Sequence, residues 1–147
     1  MKKTDIAYIA GLFDGEGSIQ ITNYIHKGNG SQCWEVRCSL AQKESYLPLL
    51  MQFHFGGSVQ RRYKGHNTRH WKASGRDTYE FLKVVLPYLK VKRPQAELGI
   101  KFQERIWEQK QKWGRSGLPD EELAVRQAQR ILMSKMKHYG KDVLASY

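Results

Sequence analysis

The 147-residue chain contains only two cysteines. Cys33 and Cys38 stand five positions apart in one stretch of strand character, so they point to opposite faces and cannot pair locally. Neither a disulfide framework nor a cysteine zinc site is supported, and a reducing compartment suits the chain. It has no apolar run long enough to span a bilayer. The opening Met1-Lys2-Lys3-Thr4-Asp5 lacks the apolar region of a signal peptide. With no targeting signal visible, an intracellular location is expected (bacterial or phage cytoplasm, or organelle-encoded), with no membrane partner and no small-molecule substrate. Acidic residues are scarce: 14 Asp and Glu stand against 25 Lys and Arg, a formal charge of +11. That imbalance favours a polyanionic partner, nucleic acid first and an acidic membrane surface second. An aromatic content of 12% argues against disorder despite that charge.

What is present is organised around Ile6–Gln20. The spacing predicts a helix, with Thr4 as N-cap and Asp5 in the first turn, where negative charge suits the helix dipole. Ala7, Gly11 and Gly15 recur every four residues and share one face, which lets another backbone approach closely. Packing against the chain's own core would explain the small residues but not the acid at the helix end. There, Glu16 stands between Gly15 and Gly17, a carboxylate with room for a phosphate beside it.

The rest reads as one domain over residues 1–147, with a core from about residue 4 to 112 and a C-terminal helix and basic tail from about 119 to 147. Ser18–His26 alternates, with Ile19, Ile21 and Ile25 on the core face and Ser18, Gln20, Thr22, Tyr24 and His26 opposite. After a Lys27–Ser31 turn, Gln32–Ala41 repeats the pattern, with Trp34, Val36, Cys38 and Leu40 inward and Glu35, Arg37 and Ser39 outward. Taken alone, such a polar face reads as a solvated outer face, common in any antiparallel sheet. Tyr46–Phe55 is a short helix using Leu47, Leu50, Met51 and His54, and Gly56-Gly57 ends it. A second hairpin follows, Ser58–Lys64 and Arg69–Ser74, the most basic strand region, with Tyr63 and Trp71 among the cations. Its last strand reads in either phase, with Arg69 and Trp71 outward or with Trp71 in the core and His70 exposed. His66 and His70 flank a turn rather than share a helix, which disfavours a metal pair. A helix from Thr78 to Leu89 turns Tyr79, Leu82, Val85, Leu86 and Leu89 inward, with Pro87 disturbing its last turn. Lys90–Pro94 is a basic connector. Helices over Gln95–Lys112 (Leu98, Phe102, Ile106) and Asp120–Met136 (Leu123, Val125, Ile131, Leu132, Met133) close the chain.

Ile9-Ala10-Gly11-Leu12-Phe13-Asp14-Gly15-Glu16-Gly17 resembles the nine-residue LAGLIDADG motif, departing conservatively at its first, fifth, seventh and eighth positions. The motif marks intron- and intein-encoded homing endonucleases and related RNA-splicing maturases. Pro87–Lys92 is similar to a further recurrent segment of that family. The resemblance spans roughly the first hundred residues. It implies an α+β fold of order αββαββα, an antiparallel four-stranded, saddle-shaped sheet that sits in the DNA major groove, covered by helices, here with extra C-terminal helices. One motif per chain implies a homodimer and a long, near-palindromic double-stranded DNA target.

The implied activity is metal-dependent, site-specific hydrolysis of DNA phosphodiesters. The alternative is a non-catalytic nucleic-acid binder on the same fold, such as an intron RNA maturase or a regulator. Hydrolysis needs an activated water and charge stabilisation at the phosphate, which Mg2+ or another divalent cation can supply from one or two carboxylates. Glu16 is the candidate ligand, with the Gly15 carbonyl beside it. By position, Gln42 matches a family glutamine that orders active-site water, and Lys92 a lysine near the cleaved phosphate. Tyr46 stands where relatives usually carry a basic residue. Lys43 and Lys90 read as phosphate contacts. The expected dimer seam is Ala7, Ala10, Gly11, Asp14 and Gly15, with Asp14 structural rather than catalytic. The expected DNA-reading face is Ser18, Gln20, Thr22, Tyr24, His26, Glu35, Arg37, Ser39, Ser58, Gln60, Arg62, Lys64, Arg69 and Trp71.

Overall fold

A computed structural model of the chain describes residues 1–61, 67–113 and 117–145, with side chains described as far as residue 137. The elements run α1 (Lys3–Glu16), β1 (Gly17–Ile25), β2 (Gln32–Gln42), α2 (Tyr46–Phe55), β3 (Ser58–Arg61), β4 (Arg69–Ser74), α3 (Gly75–Val85), a 3-10 turn over Leu86–Tyr88, α4 (Arg93–Trp113) and α5 (Asp120–Ala145). This is the αββαββα order with additional C-terminal helices. The four strands form one antiparallel sheet in the order β1-β2-β4-β3. The two hairpins therefore join through β2 and β4, and β2 is flanked on both sides.

The sheet's two faces follow from the period of two. Ile19 and Ile21 of β1, Trp34, Val36, Cys38 and Leu40 of β2, and Trp71 and Ala73 of β4 are buried on one face. Helices α1 to α4 pack on it, and α5 packs against β1 and α4. Phe81 of α3 is the junction of this core. Its ring meets Phe13 of α1, Phe55 of α2 and Trp71 of β4 edge-on, at centroid distances of 4.9, 5.0 and 5.1 Å. Each such contact adds about 0.5–1.5 kcal/mol beyond the area it buries. Trp71 is fully buried and its indole N–H donates to the Gly56 carbonyl at 2.9 Å. The adjacent Gly57 has φ +79°, and a Cβ there would meet the Lys72 carbonyl oxygen at 2.3 Å, so glycine is required on both counts.

Several expectations shift. Helix α1 begins one residue before Thr4, with Lys2 at the N-cap position, and Asp5 Oδ2 accepts the Lys2 backbone N–H at 3.3 Å. Ile25, expected inward, is 68% exposed because β1 outruns the helices that cover it. Helix α3 opens three residues before Thr78, and Pro87 converts its expected last turn into the 3-10 turn. Tyr79 is half-buried; its hydroxyl donates to Glu104 and its ring meets Trp107 edge-on, while Phe81 takes the core position. In α5 the expected apolar positions Val125, Ile131 and Leu132 are exposed, and the buried face is Glu122, Arg126 and Met133. The reason is an ion cluster. Glu122 accepts from Arg105 Nη2 at 2.7 Å and from Arg126 Nε at 3.0 Å, and these bonds hold its carboxyl below the usual carboxylate range, Arg105 contributing most.

Candidate active site and nucleic-acid interface

Helix α1 delivers Glu16 to the open edge of the molecule. The helix packs through Ile9, Ala10 and Phe13, which are buried, and this leaves Ala7, Gly11, Gly15 and Glu16 on the exposed side. The chain then turns directly into β1 at Gly17. A Cβ there would lie 2.2 Å from the Phe13 ring, so only glycine lets the strand leave so close to the helix's buried face. Glu16 is thereby fixed at the junction of the α1 face and the sheet.

Gln42, the last residue of β2, reaches the same point. Its Nε2 donates to Glu16 Oε2 at 2.9 Å. Among the described residues it is the one side chain bonded to that carboxylate. Asp14 lies two residues earlier on a different side of the helix and does other work. Its carboxylate accepts the backbone N–H groups of Lys90, Val91 and Lys92 at 2.7, 3.2 and 2.9 Å. The connector between the 3-10 turn and α4 is thus clamped to the end of α1. Lys92 Nζ completes the clamp by donating to the Asp14 main-chain carbonyl. Burial lowers the Lys92 ammonium below the ordinary lysine value, an effect the neighbouring Asp14 partly opposes.

The structure therefore brings Glu16 and Gln42 into direct contact and fixes Lys92 to the last turn of the same helix. One expected seam residue is corrected, and the side chain of another is engaged within the chain. Ala10 is completely buried in the chain's own core. The Asp14 side chain is directed to the amides of its own connector. Ala7, Gly11 and Gly15 remain exposed, and a Cβ built on Gly11 or Gly15 meets nothing within 4 Å. Tyr8 flanks this strip and is 59% exposed.

The outer sheet face is defined by register. Ser18, Gln20, Thr22 and Tyr24 of β1 lie opposite Ser39, Arg37, Glu35 and Cys33 of β2. Ser39 pairs with Lys72, which pairs with Ser58, and Gln60 pairs with His70. Two residues expected here are corrected. Trp71 belongs to the core, and Arg69 has the parity of Trp71 and pairs with Gln42, so it flanks the Glu16 end on the helix side. His70 and Lys72 take the outward positions of β4 instead. His26 falls just beyond β1 in the turn, where its Nδ1 accepts the Gly28 N–H at 3.1 Å. Arg62, Tyr63, Lys64 and His66 lie outside the described residues.

Within this face Arg37 is pre-oriented. Its Nε donates to Glu35 at 2.6 Å and its guanidinium lies over the Tyr24 ring, 5.4 Å from the centroid. Glu35 also raises the Tyr24 phenol above its ordinary value. Sequence reasoning missed Lys72, whose outward facing depends on a strand phase that alternation alone left open, and Lys137, which lies far along the chain on α5.

Among the described residues no three His, Cys, Asp or Glu side chains cluster to hold a metal ion, and no helix is long and apolar enough to cross a membrane.

The profile of the family described as LAGLIDADG endonuclease matches residues 9–105. No curated protein sequence matches significantly. Among solved structures, the chain is similar to the homing endonuclease I-CvuI in complex with the I-CreI target, at 21% identity and a TM-score of 0.73, covering 91% of this chain and 82% of that one. It is similar to the archaeal intron-encoded homing endonuclease I-Vdi141I complexed with DNA, at 16% identity and a TM-score of 0.73, covering 92% and 86%. It also resembles the homing endonuclease I-TnaI, at 14% identity and a TM-score of 0.64, covering 94% and 97%. At these identities the structural likeness concerns the fold.

Proposed function

Since the chain belongs to the LAGLIDADG endonuclease family, we propose that it is a homodimeric, divalent-metal-dependent endonuclease that cuts both strands of a long, near-palindromic DNA site. One observation carries the reading: an exposed carboxylate, Glu16, is held by Gln42 where the uncovered strip of α1 meets the end of β2. Related structures carry DNA in their crystals, and the formal charge of +11 suits the same partner.

The residues fit a hard divalent cation. One carboxylate with the Gly15 carbonyl beside it suits Mg2+, which keeps several waters and takes phosphate oxygens to complete its shell. When bound, such a cation activates water and neutralises charge at the phosphate. Glu16 would hold it, with the Gly15 carbonyl beside it. Gln42 fixes the carboxylate's rotamer through one oxygen, Oε2. Lys92, anchored to the Asp14 carbonyl, places an ammonium at the same helix end, where charge develops on the phosphoryl oxygens. The strip of Ala7, Gly11 and Gly15 receives the same strip of a second copy, and the two-fold axis then sets two Glu16 carboxylates side by side, one for each strand. The outer face reads bases from the major groove, with the Arg37 fork suited to guanine, Gln20 and Gln60 to adenine, and Glu35 to a cytosine amino group.

Selection of cut duplexes from a randomised library, with Mg2+ and then with EDTA, tests the activity and yields the target. Glu16→Gln is expected to bind that target as the wild type does and to lose cleavage. A variant that still cuts would remove Glu16 from the site. A wild type that binds structured intron RNA and cuts no duplex would favour the maturase reading.

A further inference from the structure

Helix α5 brings a lysine to the cleavage end of the fold. Lys137 Nζ donates to Ser18 Oγ at 3.3 Å, two residues beyond Glu16. The ammonium is half-buried, with Lys92 and the buried Cys38 thiol as its charged or ionisable neighbours. Burial lowers it below the ordinary lysine value, and repulsion from Lys92 lowers it further. The thiol offers no compensation, because its own burial pushes its pKa well up and keeps it neutral. Asp14 is the carboxylate beside Lys92, and its oxygens already accept three backbone N–H groups. Among the described residues no carboxylate forms an ion pair with Lys137.

Two partly dehydrated ammonium groups therefore stand near each other with too little negative charge to balance them. In the isolated protein this arrangement is destabilising, since like charges repel more strongly as water is excluded. An external anion between them reverses its sign. The surrounding surface shows the direction from which that anion comes. A groove of about 450 Å³ runs between β1 and α5, and Gln20, Arg130, Lys135 and Lys137 are among its lining residues. It opens beside Lys137 and is cationic along its α5 side, as a sugar-phosphate strand requires.

We propose that Lys137 is a second phosphate-binding cation of the cleavage site, contacting the phosphodiester that Lys92 also serves. The inference rests on the endonuclease reading and deepens it. Lys137 transfers no proton. It neutralises charge that grows on the non-bridging oxygens as the bond to the 3′ oxygen breaks.

The test uses the full chain and its selected duplex, with wild type, Lys137→Met, Lys137→Arg and Glu16→Gln compared in single-turnover cleavage at saturating protein. Lys137→Met is expected to slow cleavage by about 10–100-fold, below the loss typical of removing a fixed oxyanion donor. It is also expected to lower the salt slope of binding by about one for each phosphate that the lysine neutralises. Its melting temperature should equal or exceed that of the wild type, because repulsion with Lys92 is gone. Lys137→Arg should recover most of the rate. A Lys137→Met enzyme cutting at the wild-type rate overturns the proposal. So does a slow variant that melts earlier and is not rescued by arginine, which is the behaviour of a structural residue. If the wild type itself cuts nothing, the endonuclease reading falls and Lys137 is judged on binding alone: a reduced salt slope retains its role on the phosphate, and an unchanged slope removes it.

Discussion

Replacing Asp14 with alanine removes one acceptor that serves three consecutive amides. The wild-type carboxylate takes the N–H groups of Lys90, Val91 and Lys92 at 2.7, 3.2 and 2.9 Å. At about 1.5 kcal/mol for each bond to a charged group, the low end of the usual range, the three would sum to about 4–5 kcal/mol. The clamp is partly exposed, so water can replace some of these bonds, and about 2–4 kcal/mol is the expected destabilisation. For a chain of this length that corresponds to a fall in Tm of roughly 5–15 °C. Urea or thermal unfolding at one fixed protein concentration measures it, since the proposed dimer would make apparent stability depend on concentration. Asp14→Asn, which keeps one acceptor oxygen but brings an N–H₂ towards the amides, should fall between the two. Cleavage should suffer more than binding, because the same clamp positions Lys92. An alanine variant within about 0.5 kcal/mol of wild type, the range of an ordinary surface substitution, would refute the reasoning. It would mean that the connector is held by other packing.

The dimer seam is tested with Gly11→Leu. The monomer has open space at that position, so the monomer fold should persist while sedimentation shows loss of the dimer; unchanged sedimentation would sink the seam. For the α5 cluster, Glu122→Gln leaves Arg126, whose side chain is 5% exposed, without its counter-charge. The loss should be about 2–3 kcal/mol at pH 7, below the full cost of breaking a buried pair because glutamine retains an acceptor. The folded-state pKa of Glu122 is depressed by Arg105 first. Its contribution is therefore complete above the unfolded carboxylate value and is lost as pH falls through the lower folded value. Unfolding curves of wild type and variant should converge in acid, and a gap that stays constant with pH would contradict the ion-pair account.

Much of this molecule is local in origin, and that part is legible in the chain alone. Gly15 and Gly17 end α1 around Glu16 by local geometry, and strict alternation in β1 and β2 separates Ile19, Val36 and Leu40 from Gln20, Arg37 and Ser39. The basic balance of charge points to a polyanion whatever the fold. Positions set by packing between distant segments are harder to read. Trp71 has the company of a basic strand, and only the insertion of β4 between β2 and β3, with Phe81 below it, decides that the indole is core. Ala10 and Gly11 are adjacent small residues, and helix rotation against Phe13 decides which one is covered. The α5 stripe misleads because a charged cluster, Arg105 with Glu122 and Arg126, occupies the face that periodicity assigns to Val125 and Ile131. Lys137 carries no signal at all in its own neighbourhood, since a lysine on an amphipathic helix reads as solvated. Composition, helix ends and strand alternation are short-range consequences of residue type, so the sequence by itself determined them. The strand order, the Asp14 clamp and the approach of Lys137 to Lys92 depend on which distant segments share limited space, and only the tertiary structure decided them.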